Sequence, residues 1–112
     1  MMKSAIKQIG IIGTGGVGGY FGGKLCLNPA VEVSFIARGA HLKAIRDRGL
    51  ILVTEQETFT CRPALATDRF TDLPVLDLAL VCVKSYDLEA AIRKVLDVLT
   101  DKTILIPLLN GV

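Results

Sequence analysis

Three glycines near the amino terminus have a spacing that can bind a phosphate group. Gly13, Gly15 and Gly18 fit the pattern G-x-G-x-x-G inside the stretch GIIGTGGVGGYFGG, residues 10–23. The pattern follows an apolar run and opens a predicted helix, and this context indicates the turn that binds a dinucleotide. The first glycine permits a tight turn, the second lets the backbone approach a pyrophosphate, and the third allows close packing of helix and strand. We predict that the pyrophosphate binds at the positive end of the helix, to Gly13, Thr14, Gly15, Gly16, Val17 and Gly18.

The remaining glycines of this stretch need a second explanation. At about 100° per residue, one side of the predicted helix collects glycines, namely Gly15, Gly18, Gly19, Gly22 and Gly23. A side without side chains lets the helix lie very close to a neighbour, which is either the sheet beneath it or a bound cofactor or another domain. For the last three of these glycines we favour the sheet, with Phe21 and Leu25 as core residues beside them.

Arg38 stands where dinucleotide-binding proteins select their cofactor. NAD-binding versions place an acidic residue at the end of the second strand, about 20 residues after the glycines, to bind the ribose hydroxyls. No acid occurs between Ser34 and Leu42, and Arg38 lies 20 residues after Gly18. An arginine can bind a 2′-phosphate with several donors and stack on adenine, so the sequence favours NADP over NAD. The alternative is a solvated loop arginine, and the nearby His41 either assists with the phosphate or is an ordinary surface residue.

Two polar residues follow apolar strands further along the chain. Lys84 comes directly after the run LDLALVCV of residues 76–83, and Asn110 comes shortly after the run TILIP of residues 103–107. Open parallel sheets bind ligands at the carboxyl ends of their strands, so both side chains are candidates for the site. Lys84 is either a ligand for a phosphate or carboxylate or simply the first solvated residue after its strand.

The elements that position these residues alternate between strand and helix. Strands are predicted at 6–12, 31–37, 76–83 and 103–107, helices at 16–27, at 41–48 and from Ser85 onward, and two short strands within 50–61. Gly49 is suited to end the second helix, and the third has one apolar face, formed by Leu88, Ile92, Val95 and Leu99. This order predicts one α/β domain over residues 1–112, with a Rossmann-like parallel sheet, helices on both faces and a small β-hairpin insertion.

The composition argues against several other classes of protein. The formal net charge is +2 and the basic residues are spread along the chain, so binding of nucleic acid through a basic patch is not indicated. Cys26, Cys61 and Cys82 lack the spacing of metal ligands; they suggest reduced core thiols of a cytoplasmic protein without a metal site. No apolar stretch reaches about 18 residues, so we expect no membrane span.

Four segments of the sequence resemble a known family. IGIIGTGGVGGYFGG, FIARGAHLKAI, VCVKSYDLEAA and PLLNGV resemble the N-terminal domain of ketopantoate reductase, the NADPH-dependent enzyme of pantothenate synthesis, and the similarity covers essentially the whole chain. The resemblance implies that residues 13–18 hold the pyrophosphate and that Arg38 holds the 2′-phosphate. It also implies that Lys84 faces cofactor and substrate, and that Asn110 contacts the nicotinamide side and the substrate. This sequence departs from the family at Asp87, where members often have glutamine.

The resemblance further implies a reaction and a second domain. The reaction is hydride transfer from NADPH to 2-dehydropantoate, a small-molecule 2-keto acid, and it gives pantoate. In this family an all-helical domain follows and supplies the lysine that donates the proton. The chain ends at Val112, so we expect these residues alone to bind NADP(H) and to turn over little or nothing.

Two other functions remain open at this point. One is the cofactor domain of another NADP-dependent 2-keto or 3-hydroxy acid dehydrogenase, because substrate choice depends mostly on the absent domain. The other is a stand-alone regulatory domain that senses NADP(H). Polar residues such as Lys84 and Asn110 argue against the sensor, which needs none aimed at the nicotinamide.

Overall fold

The structure is a computed structural model that describes residues 6–13, 16–83 and 87–108, with only the backbone described at 16 and 17. Its strands are β1 (Gln8–Ile12), β2 (Glu32–Ile36), β3 (Leu50–Val53), β4 (Thr58–Cys61), β5 (Leu65–Thr67), β6 (Leu78–Val81) and β7 (Ile104–Pro107). Its helices are α1 (Gly16–Cys26), α2 (Gly39–Arg48) and α3 (Leu88–Leu96), and a 3₁₀ turn covers Phe70–Asp72.

Five of these strands form one parallel sheet in the order β5-β2-β1-β6-β7. The inner strands β1 and β6 are rich in buried apolar residues, as expected of strands that are covered on both faces. β3 and β4 pair antiparallel as a separate hairpin, with Leu50 opposite Cys61. The predicted Rossmann-like sheet with a small hairpin insertion is therefore confirmed.

Helices cover both faces of the sheet. Successive residues of a strand point to opposite faces, and the core accordingly divides into two clusters. One cluster contains Ile11 and Phe35 of the sheet together with Leu42 of α2. The other contains Ile12 together with Val95 of α3. The prediction of helices on both faces is confirmed, with α2 on one face and α3 on the other.

α1 lies on the same face of the sheet as α2, and its glycines let it approach that face closely. A Cβ atom placed on Gly22 would overlap the ring of Phe35, and one on Gly23 would make ordinary contact with the hairpin at 3.4 Å. Gly22 therefore faces the sheet, as the sequence predicts, whereas Gly23 faces the hairpin instead. Leu25 packs against the core, but the prediction for Phe21 is wrong. Its side chain is 46% exposed, because the glycine side of α1, and not the side that carries Phe21, faces the sheet.

Most element boundaries agree with the predictions to within about two residues, but α3 ends at Leu96 and so does not include Leu99, which the sequence placed on its apolar face. α2 begins at Gly39, two residues early, and is followed as predicted by Gly49, whose φ is +83° and whose N–H donates to the carbonyl of Ile45 at 2.9 Å. The predicted cap Ser85 lies outside the described residues. β5 and the 3₁₀ turn were not predicted, and both contribute to the site described below.

Two general properties of the described residues bear on function. None of their helices is long and apolar enough to cross a membrane. No group of histidine, cysteine and acidic side chains among them could hold a metal ion.

Candidate functional site

A cavity of about 460 Å³ lies beside the carboxyl ends of β1, β2, β5 and β6. β1 is the strand at which the sheet order reverses, with β2 on one side and β6 on the other, and open α/β sheets bind ligands beside such a strand. The volume is that of a small-molecule site. Its titratable lining residues are Arg38, His41, Asp68, Asp87 and Lys94, and its apolar walls include Ile12, Ile36, Phe70 and Val83.

Gly13 ends β1 and forms one wall of this cavity. Its φ is +93°, a backbone conformation that side chains disfavour, and its N–H donates to the carbonyl of Ile36 at 3.1 Å. A Cβ atom at Gly13 would lie 2.9 Å from Cγ1 of Val83 and 3.0 Å from the carbonyl oxygen of Cys82. Glycine is therefore needed here on two counts, the positive φ and the close approach of the residues that follow β6.

Gly18 lies in the first turn of α1 and is buried. A Cβ atom there would overlap the carbonyl oxygen of Gly13 and would lie 3.0 Å from Cβ of Cys82. The third glycine of the motif thus brings α1 against the turn after β1, as the sequence predicts. Gly16 and Val17 begin α1, whereas Thr14 and Gly15 lie outside the described residues.

Arg38 lies at the edge of the cavity, directly before α2. Its backbone is extended, with φ −138° and ψ 159°, and its carbonyl accepts from the N–H of Leu42 at 3.2 Å. The preceding residue, Ala37, is buried and donates its N–H to the carbonyl of Thr67 at 3.0 Å. Arg38 itself is exposed, and within the described residues no carboxylate forms an ion pair with it. The loop that carries Arg38 is therefore fixed while its guanidinium stays available to a ligand.

His41 lies in the first turn of α2 and lines the same cavity as Arg38. The structure thus brings together Gly13, Arg38 and His41, which the sequence had related only through spacing. Asp87, the departure from the family pattern, also lines this cavity, directly before α3. It therefore belongs to the same site as Arg38.

The wall that β5 and the 3₁₀ turn provide was not predicted from the sequence. The buried hydroxyl of Thr67 donates to Oδ2 of Asp72 at 2.6 Å and accepts from the N–H of Arg69 at 3.1 Å. These bonds close the chain around Phe70, which lines the cavity. The pKa of Asp72 lies below its ordinary value, mainly because the Thr67 hydroxyl donates to the ionised form.

Lys94 was missed as well, although a signal for it exists. It follows the N-cap residue Asp87 by seven positions, with Ala90 and Ala91 between them, and all four line the cavity. Seven residues are close to two helical turns, so these positions share one side of α3. A helical-wheel reading that started from Asp87 would have found them.

Lys84 and Asn110 lie outside the described residues. Their described neighbours are at the carboxyl edge of the sheet: Val83 lines the cavity, and the N–H of Leu108 donates to the carbonyl of Val81 at 2.8 Å. The roles of the two polar residues therefore remain predictions.

The three cysteines are free thiols, and none of them is among the residues that line this cavity. Burial is the main cause that raises the pKa of Cys26 to about 12, and a hydrogen bond with Cys61 is the second cause. Burial likewise raises the pKa of Cys82. A thiol must ionise to attack, so Cys26 and Cys82 are held in the unreactive form.

Comparison with known proteins agrees with the fold. The family model described as ketopantoate reductase PanE/ApbA matches residues 9–112. The 2-dehydropantoate 2-reductase of Mesorhizobium japonicum is 33% identical over 105 residues, which are 94% of this chain and 32% of the relative. The enzyme of that name from Pyrococcus horikoshii is 34% identical over 107 residues, 94% of this chain and 33% of the relative. The chain thus spans about a third of these curated relatives.

A solved structure shows the same similarity in three dimensions. The crystal structure of 2-dehydropantoate 2-reductase from Porphyromonas gingivalis W83 superimposes with a TM-score of 0.85 at 41% sequence identity. The match covers 96% of this chain and 39% of that one. The Rossmann-like sheet and the hairpin are therefore the fold of these reductases over the part that is shared.

Proposed function

The chain belongs to the ketopantoate reductase PanE/ApbA family, and from this premise we propose that it is the NADPH-binding part of a 2-dehydropantoate 2-reductase. The proposed reaction adds a hydride to the keto carbon of 2-dehydropantoate and a proton to its oxygen, which gives pantoate. The similarity to reductases of that name over 94% of this chain supports this assignment. Because those relatives are about three times as long, we assign the proton donor to the part of their length that has no counterpart here.

The observation that best supports NADPH is the position of Arg38. It lies at the end of β2 on the cavity wall, where NAD-binding proteins have an acid. A guanidinium there offers charge-assisted hydrogen bonds to a 2′-phosphate. Gly13, which lines the cavity directly after β1, suits the pyrophosphate. When bound, NADPH supplies the hydride for the reduction.

We assign to Lys84 and Asn110 the work on the substrate and the nicotinamide. A carbonyl oxygen gains negative charge as hydride arrives, and an ammonium on Lys84 would offset that charge. The amide of Asn110 would orient the substrate or the nicotinamide by hydrogen bonding. The position of Val83 in the cavity wall supports the assignment for Lys84.

The proposed role in pantothenate synthesis is a cytoplasmic one. Free thiols at Cys26, Cys61 and Cys82 support that compartment, because disulfides rarely persist there. The proposed partner is a small-molecule 2-keto acid, and no nucleic acid, membrane or metal is part of the proposal.

Calorimetric titration of the chain with NADPH and with NADH tests the cofactor assignment directly. We expect NADPH to bind at least about tenfold more tightly, since one charge-assisted hydrogen bond to a phosphate is worth roughly 1.5–3 kcal/mol. 2′-AMP should compete with NADPH, whereas 5′-AMP should compete much less. Equal affinity for the two dinucleotides would reject the assignment of NADP(H).

A further inference from the structure

The 3₁₀ turn Phe70–Asp72 forms a wall of the cavity that neither the motif nor the comparisons assign to any task. Phe70 lines the main cavity and also a smaller one of about 310 Å³ beside it. Its ring is half-buried and packs against the core cluster that contains Ile12 and Val95. Phe70 thus contributes a phenyl ring to the wall of the main cavity.

Hydrogen bonds hold this turn in one conformation. Thr67 is 1% exposed and lies at the end of β5, and its hydroxyl bonds both to Oδ2 of Asp72 at 2.6 Å and to the N–H of Arg69 at 3.1 Å. The Thr67 carbonyl accepts from the N–H of Ala37 at 3.0 Å. The same residue therefore fixes Phe70 on one side and the loop of Arg38 on the other.

The wall contributed by α3 carries small side chains. Ala90 and Ala91 line the cavity there, and they leave space beside an apolar surface. Asp68 and Lys94 supply polar groups where this part of the cavity reaches solvent. A flat heteroaromatic ring with hydrogen-bonding edges fits this combination, since every base has a face that packs on aromatic or apolar side chains.

We propose that Phe70 contacts the adenine of the dinucleotide, and that the Thr67–Asp72 hydrogen bond is the device that positions it. The proposal rests on the proposed function, because it takes the ligand to be NADP(H). It places the adenine between Phe70 and the alanines of α3, next to the phosphate that Arg38 binds. Phe70 is then a binding residue and Thr67 a positioning residue.

Fragments of the cofactor test this proposal on the chain as it exists. We expect Phe70→Ala to lower the affinity for NADPH and for adenosine 2′,5′-bisphosphate by the same factor. That factor should be roughly fivefold to a hundredfold, the contribution of one base packed on an aromatic ring. Reduced nicotinamide mononucleotide, which has no adenine, should bind as it does to the unchanged chain. Phe21→Ala is the matched control, because it removes an exposed aromatic ring of α1 and should alter no affinity.

Further variants separate binding from simple loss of packing. Phe70→Leu keeps apolar volume in the core, and we expect it to fold and still to lose affinity for adenosine 2′,5′-bisphosphate. Thr67→Val should lose affinity for the same fragment, and Thr67→Ser, which keeps the hydroxyl, should restore it.

The possible outcomes distinguish this proposal from the one on which it rests. Suppose that the unchanged chain binds NADPH, and that Phe70→Leu and Phe70→Ala bind adenosine 2′,5′-bisphosphate as tightly as the unchanged chain does. The role of Phe70 is then rejected and the proposed function stands. The role of Phe70 is also rejected if the variants lose affinity for reduced nicotinamide mononucleotide by the same factor, because the substitution would then disturb the whole site and not only the adenine contact. If the unchanged chain binds neither dinucleotide, the proposed function itself is rejected.

Discussion

A side chain on Gly18 would collide with the carbonyl oxygen of Gly13, five residues earlier in the chain. The same Cβ atom would lie 3.0 Å from Cβ of Cys82, at the end of β6. The start of α1, the turn after β1 and the end of β6 therefore meet at one point. Since the obstacle includes a main-chain oxygen, which cannot rotate away as a side chain can, glycine is required at residue 18.

The first prediction concerns Gly18→Ala. We expect the free energy of unfolding to fall by about 1–3 kcal/mol, the usual cost of an extra methyl group in a filled site. We also expect NADPH affinity to fall, because the turn at Gly13 must move. Urea unfolding measures the first effect and calorimetric titration the second.

Gly23→Ala is the control on the same helix. The nearest atom to its Cβ position belongs to Leu52 at 3.4 Å, an ordinary contact. Alanine is a better helix former than glycine by up to about 1 kcal/mol, so this variant should be at least as stable as the parent and bind NADPH equally. Similar losses in both variants would show that the glycines act only through α1 as a whole.

The sequence predicts the centre of the sheet better than its edge. β1 and β6 are runs of buried apolar residues and are recognisable without the fold. β5 has three residues and lies at the edge of the sheet, so neither length nor periodicity reveals it. Because β5 was missed, the wall with Thr67 and Phe70 was missed too: its residues meet the glycine motif only through pairing with β2, which is a long-range contact.

The second prediction concerns Arg38→Ala. Loss of a charge-assisted hydrogen bond costs on the order of 1.5–3 kcal/mol, which corresponds to roughly tenfold to a hundredfold in affinity. We expect that loss for NADPH and almost none for NADH. Arg48→Ala, at the opposite end of α2, should leave both affinities unchanged. Equal weakening of both dinucleotides would show that Arg38 acts on the adenine or on the loop rather than on the phosphate.

The third prediction concerns the pH dependence that Asp77 contributes. Its carboxylate accepts from the backbone N–H groups of Gln8 and Lys7, each at 2.9 Å, and these bonds, with that of Gln8 the stronger cause, hold the pKa of Asp77 below its ordinary value of 3.8. A depressed folded pKa contributes stability above the unfolded pKa and loses it as the pH falls through the folded pKa. Asp77→Asn should therefore be less stable than the parent near neutral pH, and the difference should shrink below pH 3.8.

Urea unfolding at several pH values checks this prediction. Asp101→Asn removes a carboxylate from the exposed turn before β7 and controls for the change in net charge. A stability difference for Asp77→Asn that persists unchanged into strong acid would mean that the side chain acts by shape and not by charge.

The fourth prediction concerns the 112 residues as a separate polypeptide. The relatives that share the fold are about three times as long, and we assign the proton donor to the part of their length that this chain does not cover. We expect this polypeptide to bind NADPH and to give no loss of NADPH absorbance when 2-dehydropantoate is added. Steady turnover would contradict the assignment of the proton donor to the remaining length of the relatives.

The fifth prediction concerns Lys84 in a reductase that carries these residues together with the rest of the family's length. Hydride transfer to a 2-keto acid places negative charge on the carbonyl oxygen, beside a carboxylate that is already charged. An ammonium at the carboxyl end of β6 would stabilise that charge in a site from which water is excluded, and it need not be the group that donates the proton. Lys84→Ala should therefore reduce kcat/KM for 2-dehydropantoate by about a hundredfold or more, as removal of one such donor does, while the Kd for NADPH changes little. Lys102→Ala, in the exposed turn before β7, should change neither quantity. A fully active Lys84→Ala enzyme would remove this lysine from the site, and an equal loss of NADPH affinity would reassign it to the cofactor phosphates.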